Sequence, residues 1–228
     1  MFFRDIHQRS VGPKSLISIA LALAILVSAD ILFGNRLGLT LWHNPYRTNG
    51  DFVRDSLMLV CLAIYVLRVL VTLFVFFRRI LFWREALLVA NAMPWCLVYF
   101  AAYGGRQLEP VGVFEVFGVV LFVLGSYLNS AGEYARYRWK QDPTNAGRLY
   151  TKGLFTYVRH INYTGDILLF SGIALVAHQF GLLLIPLAMA FLFLLLLAPL
   201  KERYLGAKYG QAFEDYAARS KMLIPMVV

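Results

Sequence analysis

Long apolar runs, separated by short stretches rich in basic or turn-forming residues, leave this chain few folds to adopt. Six runs stand out: about Leu16–Phe33, Ser56–Phe77, Ala86–Tyr103, Val111–Ser130, Ile167–Ala177 and Phe180–Leu200. Each of the first four is long enough to cross a bilayer, which takes about 20 residues. The fifth is short. With His178-Gln179 as its turn, it is expected to form a helical hairpin with the sixth. Only 15% of the residues are charged and 60% are hydrophobic, whereas a soluble domain is nearer a quarter charged. The expected fold is therefore all-α: a polytopic membrane helix bundle, residues 1–228 forming a single transmembrane domain.

The net charge of +9 does not indicate a nucleic-acid partner, because the basic residues lie in loops between apolar segments. With the N-terminus inside, the cytoplasmic pieces hold 17 Lys and Arg and the outer loops hold 4, Arg36, Arg47, Arg54 and Arg106. This asymmetry places both termini and residues 131–165 in the cytoplasm. The expected location is a bacterial inner membrane. Arg4, Arg9 and Lys14 precede the first run as they would in a signal peptide, but Asp30 and the later spans favour a retained anchor. Cys61 and Cys96 lie in apolar segments and read as small core residues, with neither a disulfide framework nor a metal site. From Lys201 to Ser220, Tyr204, Tyr209, Phe213 and Tyr216 recur among charges, the pattern of an interfacial amphipathic helix.

The densest polar chemistry is Arg159-His160-Ile161-Asn162-Tyr163-Thr164-Gly165-Asp166, where a polar loop runs into an apolar segment. Polar groups beside lipid are costly and mark functional sites. Two further polar pieces, Glu133 to Arg148 and Lys201-Glu202-Arg203-Tyr204, complete a basic cytoplasmic region. Arginine offers planar bidentate donors to phosphate or carboxylate. Asparagine and tyrosine can hold amides and ribose hydroxyls, and Asp166 or Glu202 can accept from ribose or an adenine amine. Arg148, Lys152, Lys208 and Lys221 are read instead as contacts to anionic lipid heads. No Gly-x-Gly-x-x-Gly after a strand, no P-loop and no Gly-x-Ser-x-Gly elbow is present, so a cofactor would bind the bundle itself.

Arg68 sits within the second apolar run and needs a partner or polar cavity. Asp30, Glu115 and Asp166 are the candidates. Tyr99 and Tyr103 fall near an outer interface. His178 reads as a turn residue, and His7 and His43 as surface residues. Trp42, Trp83, Trp95 and Trp139 mostly fit interfacial anchoring.

The stretch Gly153-Leu-Phe-Thr-Tyr-Val-Arg159-His160-Ile-Asn162-Tyr163-Thr-Gly165-Asp166 resembles the C-terminal signature of the steroid 5-alpha-reductase and sterol-reductase superfamily. The tail Lys208-Tyr209-Gly210 … Phe213-Glu-Asp-Tyr216 … Leu223-Ile224-Pro225 resembles the same family's ending. Lys140-Gln-Asp-Pro143-Thr-Asn145-Ala-Gly147-Arg148 is similar to its uncharacterised bacterial branch. Isoprenylcysteine carboxyl methyltransferases share much of the signature, usually as Arg-His-Pro-x-Tyr-x-Gly. Here Ile161 replaces the proline, Asn162 precedes the tyrosine, Asp166 follows the glycine, and Glu202 stands without a second glutamate.

The reductase resemblance implies that Arg159, Asn162, Tyr163 and Asp166 contact NADPH. It adds Lys140, Asn145 and Arg203 to the phosphate and adenosine sites, and His160 and Glu202 complete the expected cofactor set. Residues 125–228 would then be the cofactor-binding half. Arg68 and Tyr103 are the residues expected to line a substrate pocket and polarise the substrate. The implied activity is reduction of a carbon–carbon double bond in a lipophilic, steroid-like or isoprenoid substrate. The alternatives are a membrane methyltransferase using S-adenosylmethionine and a non-catalytic protein that binds lipid or a partner.

Overall fold

The computed structural model describes residues 10–38 and 44–223. The expectations placed on Arg4, His7, Arg9, Trp42, His43 and the Ile224-Pro225 ending lie outside the described residues. The described residues are helical, with α1 Val11–Phe33, α2 Phe52–Val71, α3 Trp83–Gly104, α4 Val113–Trp139, α5 Ile161–Val176, α6 Leu184–Leu192, α7 Ala198–Tyr209 and α8 Gln211–Arg219. Strand pairing among them is limited to one isolated parallel bridge, Val158 to Lys221. A π-helical turn at Thr72–Phe76 extends α2, and another at Phe193–Leu197 joins α6 to α7.

Five helical stretches are long and apolar enough to cross a membrane: Val11–Phe33, Phe52–Phe76, Trp83–Gly104, Val113–Trp139 and Phe180–Tyr209. At most 39% of any of them is buried inside the protein. Large apolar side chains such as Leu26, Leu67, Leu88, Trp95 and Leu195 point outward. In water this surface would be unstable; in lipid it is the required exterior. The all-α membrane bundle expected from the sequence is borne out.

Three boundaries differ from expectation. The fourth helix runs on to Trp139, because Glu133, Ala135, Arg136 and Arg138 favour helix and the arginines sit well at a helix C-terminus. The fifth begins at Ile161 and is 16 residues long, so the Asn162–Asp166 motif lies in its first turns rather than in a loop. The tail is not one amphipathic helix. The sixth run continues as helix to Tyr209, then breaks at Gly210 (φ +52°) before the short α8. That left-handed backbone is cheap only for glycine.

The chain divides into two compact units. One comprises, of the described residues, 10–38, 44–122 and 171–183. Its core is built by α1, α2 and α3, with Leu21, Leu32, Met58, Leu62, Leu97 and Phe100 fully buried. Gly118 and Gly172 meet in this unit, where a Cβ on Gly118 would lie 2.7 Å from the Gly172 carbonyl oxygen. Several ion pairs lie in this unit, three of them at the polar ends of the membrane-spanning helices. Arg54 Nη2 lies 2.8 Å from Glu115 Oε1, both side chains fully buried. Asp55 pairs with Arg36 at 2.6 Å and Asp30 with Arg47 at 2.7 Å. Glu115 also accepts from Gly112 N at 2.8 Å, and its Oε1 lies 2.5 Å from His178 Nδ1. Glu115 and Asp30, expected as partners of Arg68, are thus held by Arg54 and Arg47. His178 does occupy the turn, with a left-handed φ of +51°.

The other unit comprises, of the described residues, 123–170 and 184–223. Here Gly125 on α4 meets Gly165 on α5, and a Cβ on Gly165 would lie 2.7 Å from the Gly125 carbonyl oxygen. Small residues let membrane helices approach backbone to backbone. This close approach brings the polar side chains of the two helices within hydrogen-bonding range.

Candidate functional site

The motif of α5 begins by being tied to the C-terminal segment. Arg159 N donates to Lys221 O at 2.8 Å, His160 N to Met222 O at 3.1 Å, and Lys221 N returns a bond to Tyr157 O at 2.9 Å. Thr164 Oγ1 donates to the Leu223 carbonyl. Tyr216 Oη donates to Phe155 O at 2.6 Å, and burial pushes this phenol up to about 12. The helix-starting amides therefore find backbone partners in the tail rather than remaining orphaned.

Arg159, expected at a cofactor, has much of its guanidinium engaged within the protein. Nε donates to Glu202 Oε1 at 2.6 Å, and Nη1 donates to Ala217 O at 3.0 Å and to the Ser220 carbonyl. It joins the motif, α7 and the tail. Glu202 Oε1 also lies 3.4 Å from His160 Nε2.

Asn162 and Asp166 are one helical turn apart on α5, as Asn129 and Glu133 are on α4. The two pairs cross. Asn129 Nδ2 donates to Asp166 Oδ1 at 2.7 Å and to Asn162 O at 3.2 Å, while Asn162 Nδ2 donates to Glu133 Oε1 at 2.6 Å. Arg136 extends the network to Glu133 at 3.5 Å. Each helix supplies one amide and one carboxylate, and antiparallel packing sets amide against carboxylate.

Among the described residues, Asn162 Oδ1 and His160 Nδ1 are buried without a hydrogen-bond partner, as are a few atoms outside the motif such as Ser28 Oγ and Ser126 Oγ, and His160 Nε2 has only the 3.4 Å approach of Glu202. Buried polar atoms in native proteins nearly always have one, so each such atom points to a missing water or ligand group. The His160 ring stacks on Tyr163 at 5.3 Å, Tyr163 stacks on Phe193 at 4.4 Å, and the Lys201 ammonium lies 5.2 Å from the Tyr163 ring centre. Burial holds the His160 pKa below its ordinary value; Glu202 opposes the shift, while Lys201 and Arg159 add to it. A neutral imidazole, an orphaned amide oxygen and a row of stacked rings beside a cation suit a planar, polar, anionic ligand.

The remaining expected residues lie elsewhere. Asn145 Nδ2 donates to Trp139 O at 3.0 Å and closes the turn after α4. Lys140 and Arg203 are exposed. Arg68 and Tyr103 belong to the first unit described above. Arg68 lies 6.0 Å from the Tyr65 ring centre, and the Tyr103 ring packs at a tilt of 43° against Tyr99, 4.4 Å between centres, with the Arg106 guanidinium 5.3 Å from its centre. The sequence reading missed Asn129 and passed over Glu133 as a site residue. Their signal was present: two polar residues four apart at the end of an apolar helix, which is costly unless paired.

A family model described as "Protein of unknown function (DUF1295)" matches residues 20–220. The chain belongs to this family. The chain is 32% identical over 155 residues to "3-oxo-5-alpha-steroid 4-dehydrogenase 2" of Rattus norvegicus, covering 66% of this chain and 58% of the relative. It is 34% identical over 110 residues to the Homo sapiens protein of the same name, covering 48% and 41%. It is 41% identical over 58 residues to "Probable O-methyltransferase ustE" of Ustilaginoidea virens, covering 25% and 20%. The chain spans about half the length of the steroid dehydrogenase relatives it matches. The resemblance to the steroid 5-alpha-reductase superfamily holds, and this DUF1295 member is an integral membrane protein.

Proposed function

We propose that this protein is a membrane-embedded oxidoreductase that uses NADPH to reduce an activated carbon–carbon double bond in a lipophilic, steroid-like or isoprenoid molecule. The supporting observation is the set of orphaned buried atoms on His160 and Asn162, inside the motif shared with the reductase superfamily. The residues fit the cofactor. Asn162 Oδ1 can accept from a carboxamide or ribose hydroxyl, His160 can donate or accept, and the Tyr163 and Phe193 rings offer a stacking face. Lys201 supplies positive charge for phosphate. Residues 125–228 are the cofactor-binding half on this reading.

Bound NADPH would supply the hydride. The protein's own residues bind, orient and polarise. Asn129 and Glu133 fix Asn162 so that its amide oxygen is left for the ligand. Arg159 and Glu202 hold the motif against the tail, so both act by positioning. The reduction adds hydride to one alkene carbon and a proton to the other. Arg68 and Tyr103 remain the proposed substrate-facing groups, Tyr103 as a hydrogen-bond donor to a substrate carbonyl.

The reading is tested with NADPH deuterated at C4 and a panel of lipophilic enones. It expects deuterium in the reduced product. Consumption of no enone, with methyl transfer from S-adenosylmethionine instead, would overturn it. That second reading has its own support in the similarity to the O-methyltransferase. The distribution of basic residues supports both termini on the cytoplasmic side of the membrane, which we propose is a bacterial inner membrane. Reporters fused to each end test this: signal from opposite sides would contradict it.

A further inference from the structure

We propose that the unit built by α1, α2 and α3 carries a site for a monoanionic headgroup, in a cavity between the 45–49 loop and the 105–108 turn. This inference stands independently of the reductase reading. The cavity has a volume of about 350 Å³, within the range of about 300–1,000 Å³ typical of small-ligand sites. Its walls are fixed from behind. Arg47 donates through Nε and Nη2 to Asp30 Oδ1 at 3.0 and 2.7 Å. Thr48 donates through N and Oγ1 to the Ile31 carbonyl at 2.8 and 3.1 Å. These bonds seat the loop on the end of α1. Asp51 N donates to Gln107 O at 2.8 Å and ties the loop to the turn. Gly105 lies so close to α1 that a Cβ on it would stand 2.7 Å from Leu32 Cδ2. A site held in this way has little left to order when a ligand binds.

The charge pattern identifies the ligand class. Four arginines lie around this end of the unit, and Arg36, Arg47 and Arg54 are each paired with a carboxylate. Arg106 is the exception. It is exposed, lines the cavity and forms no ion pair among the described residues. Its guanidinium lies 5.3 Å from the Tyr103 ring centre, a contact that attracts a cation without neutralising it. Among the described residues no acid lines the cavity. With Arg47 offset by Asp30, the cavity presents one uncompensated positive charge, which favours one anionic group. A guanidinium donates in a planar fork to phosphate or carboxylate oxygens. The exposed Asn49 amide adds a neutral donor beside it.

Place narrows the source. The loop follows α1 and the turn follows α3, both of membrane length, so the cavity opens where these helices leave the apolar layer, at headgroup depth. Tyr46 and Leu108 line it and are exposed, which gives the rim apolar surface. That rim suits an amphiphile better than an inorganic ion. Two sources offer the same anionic chemistry there: the phosphodiester of a lipid and a soluble monoanion.

The experiment uses the full-length protein in neutral detergent. Thermal unfolding is followed with added phosphatidylglycerol, phosphatidylcholine or glycerophosphoglycerol, the last being the first without its acyl chains. The variants are Arg106→Gln and Asn49→Leu, with Arg84→Gln as a basic residue outside the cavity; all three positions are exposed. The expected result is stabilisation by phosphatidylglycerol and not by phosphatidylcholine. The concentration needed should rise roughly tenfold in Arg106→Gln, as loss of a charge-assisted hydrogen bond implies. It should also rise in Asn49→Leu and stay unchanged in Arg84→Gln. Phosphatidylglycerol acting alone identifies a lipid site; glycerophosphoglycerol acting equally well identifies a soluble ligand. Equal responses from wild type and Arg106→Gln would overturn the proposal. So would an equal loss in Arg84→Gln, which would make the effect one of interfacial charge in general. Stabilisation by neither anion, or equally by phosphatidylcholine, would overturn it as well.

Discussion

Asn129 Nδ2 donates to Asp166 Oδ1 at 2.7 Å, joining α4 to α5 one helical turn from the reciprocal bond between Asn162 and Glu133. The candidate cofactor motif is therefore also a helix–helix fastening. Removing its amide leaves the Asp166 carboxylate without one of its donors. Asn129→Ala is expected to cost about 1–3 kcal/mol of stability. Asn129→Asp should cost more, because it sets two carboxylates face to face. Combining it with Asp166→Asn restores an amide–carboxylate pair and should recover most of the loss. Unfolding followed by intrinsic fluorescence checks this; a double variant no better than the worse single one would refute the pairing.

The close approach of α4 to α5 rests on Gly125 and Gly165. A Cβ at Gly125 would lie 2.5 Å from Leu169 N. Gly125→Ala is expected to destabilise by about 1–3 kcal/mol through overpacking. Gly181, where a Cβ meets nothing within 4 Å, serves as the control, and its alanine variant should be near neutral. Equal melting temperatures for the two variants would contradict the backbone contact.

Glu115 neutralises a fully buried Arg54. Glu115→Gln leaves the guanidinium charge uncompensated, and breaking a buried pair from one side costs about 3–5 kcal/mol. Replacing both residues by leucine should cost less than the single change. A double variant less stable than Glu115→Gln would show that the charges are not acting as a pair.

His160 should make stability depend on pH. Its folded-state pKa is lowered from 6.5, mainly by burial, so below that value the unfolded chain binds more protons than the folded one. Stability is full above about pH 6.5 and falls as pH drops through that value toward the folded pKa, below which it levels off. His160→Gln should flatten the decline between pH 7.5 and 5.5. Parallel wild-type and variant profiles would assign the titration to another group.

The helical membrane architecture was legible from apolar run length alone, because lipid demands about the same length from every span. The ends were harder to read. Glu133, Arg136 and Arg138 look like loop by polarity yet continue α4, since a helix can leave the apolar layer without unwinding. The motif's residue types marked it as a site, but their partners were hidden. Ser220 and Leu223 receive bonds from Arg159 and Thr164 through backbone carbonyls, which every residue type possesses. Asn129 and Glu133 were readable in principle, as a polar pair one turn apart, but only the glycines at 125 and 165 explain how they reach α5.

The central claim is that the orphaned atoms of His160 and Asn162 face NADPH. The most direct measurement is thermal unfolding of the purified protein with saturating NADPH, NADH or S-adenosylmethionine. At a hundred times its dissociation constant a ligand stabilises by about 2.7 kcal/mol, a rise of roughly 5–10 °C for a chain of this length. We predict that rise with NADPH, and its loss in Asn162→Ala measured against that variant's own ligand-free melting point. An undiminished shift in Asn162→Ala, or protection by S-adenosylmethionine with none by NADPH, would contradict the account.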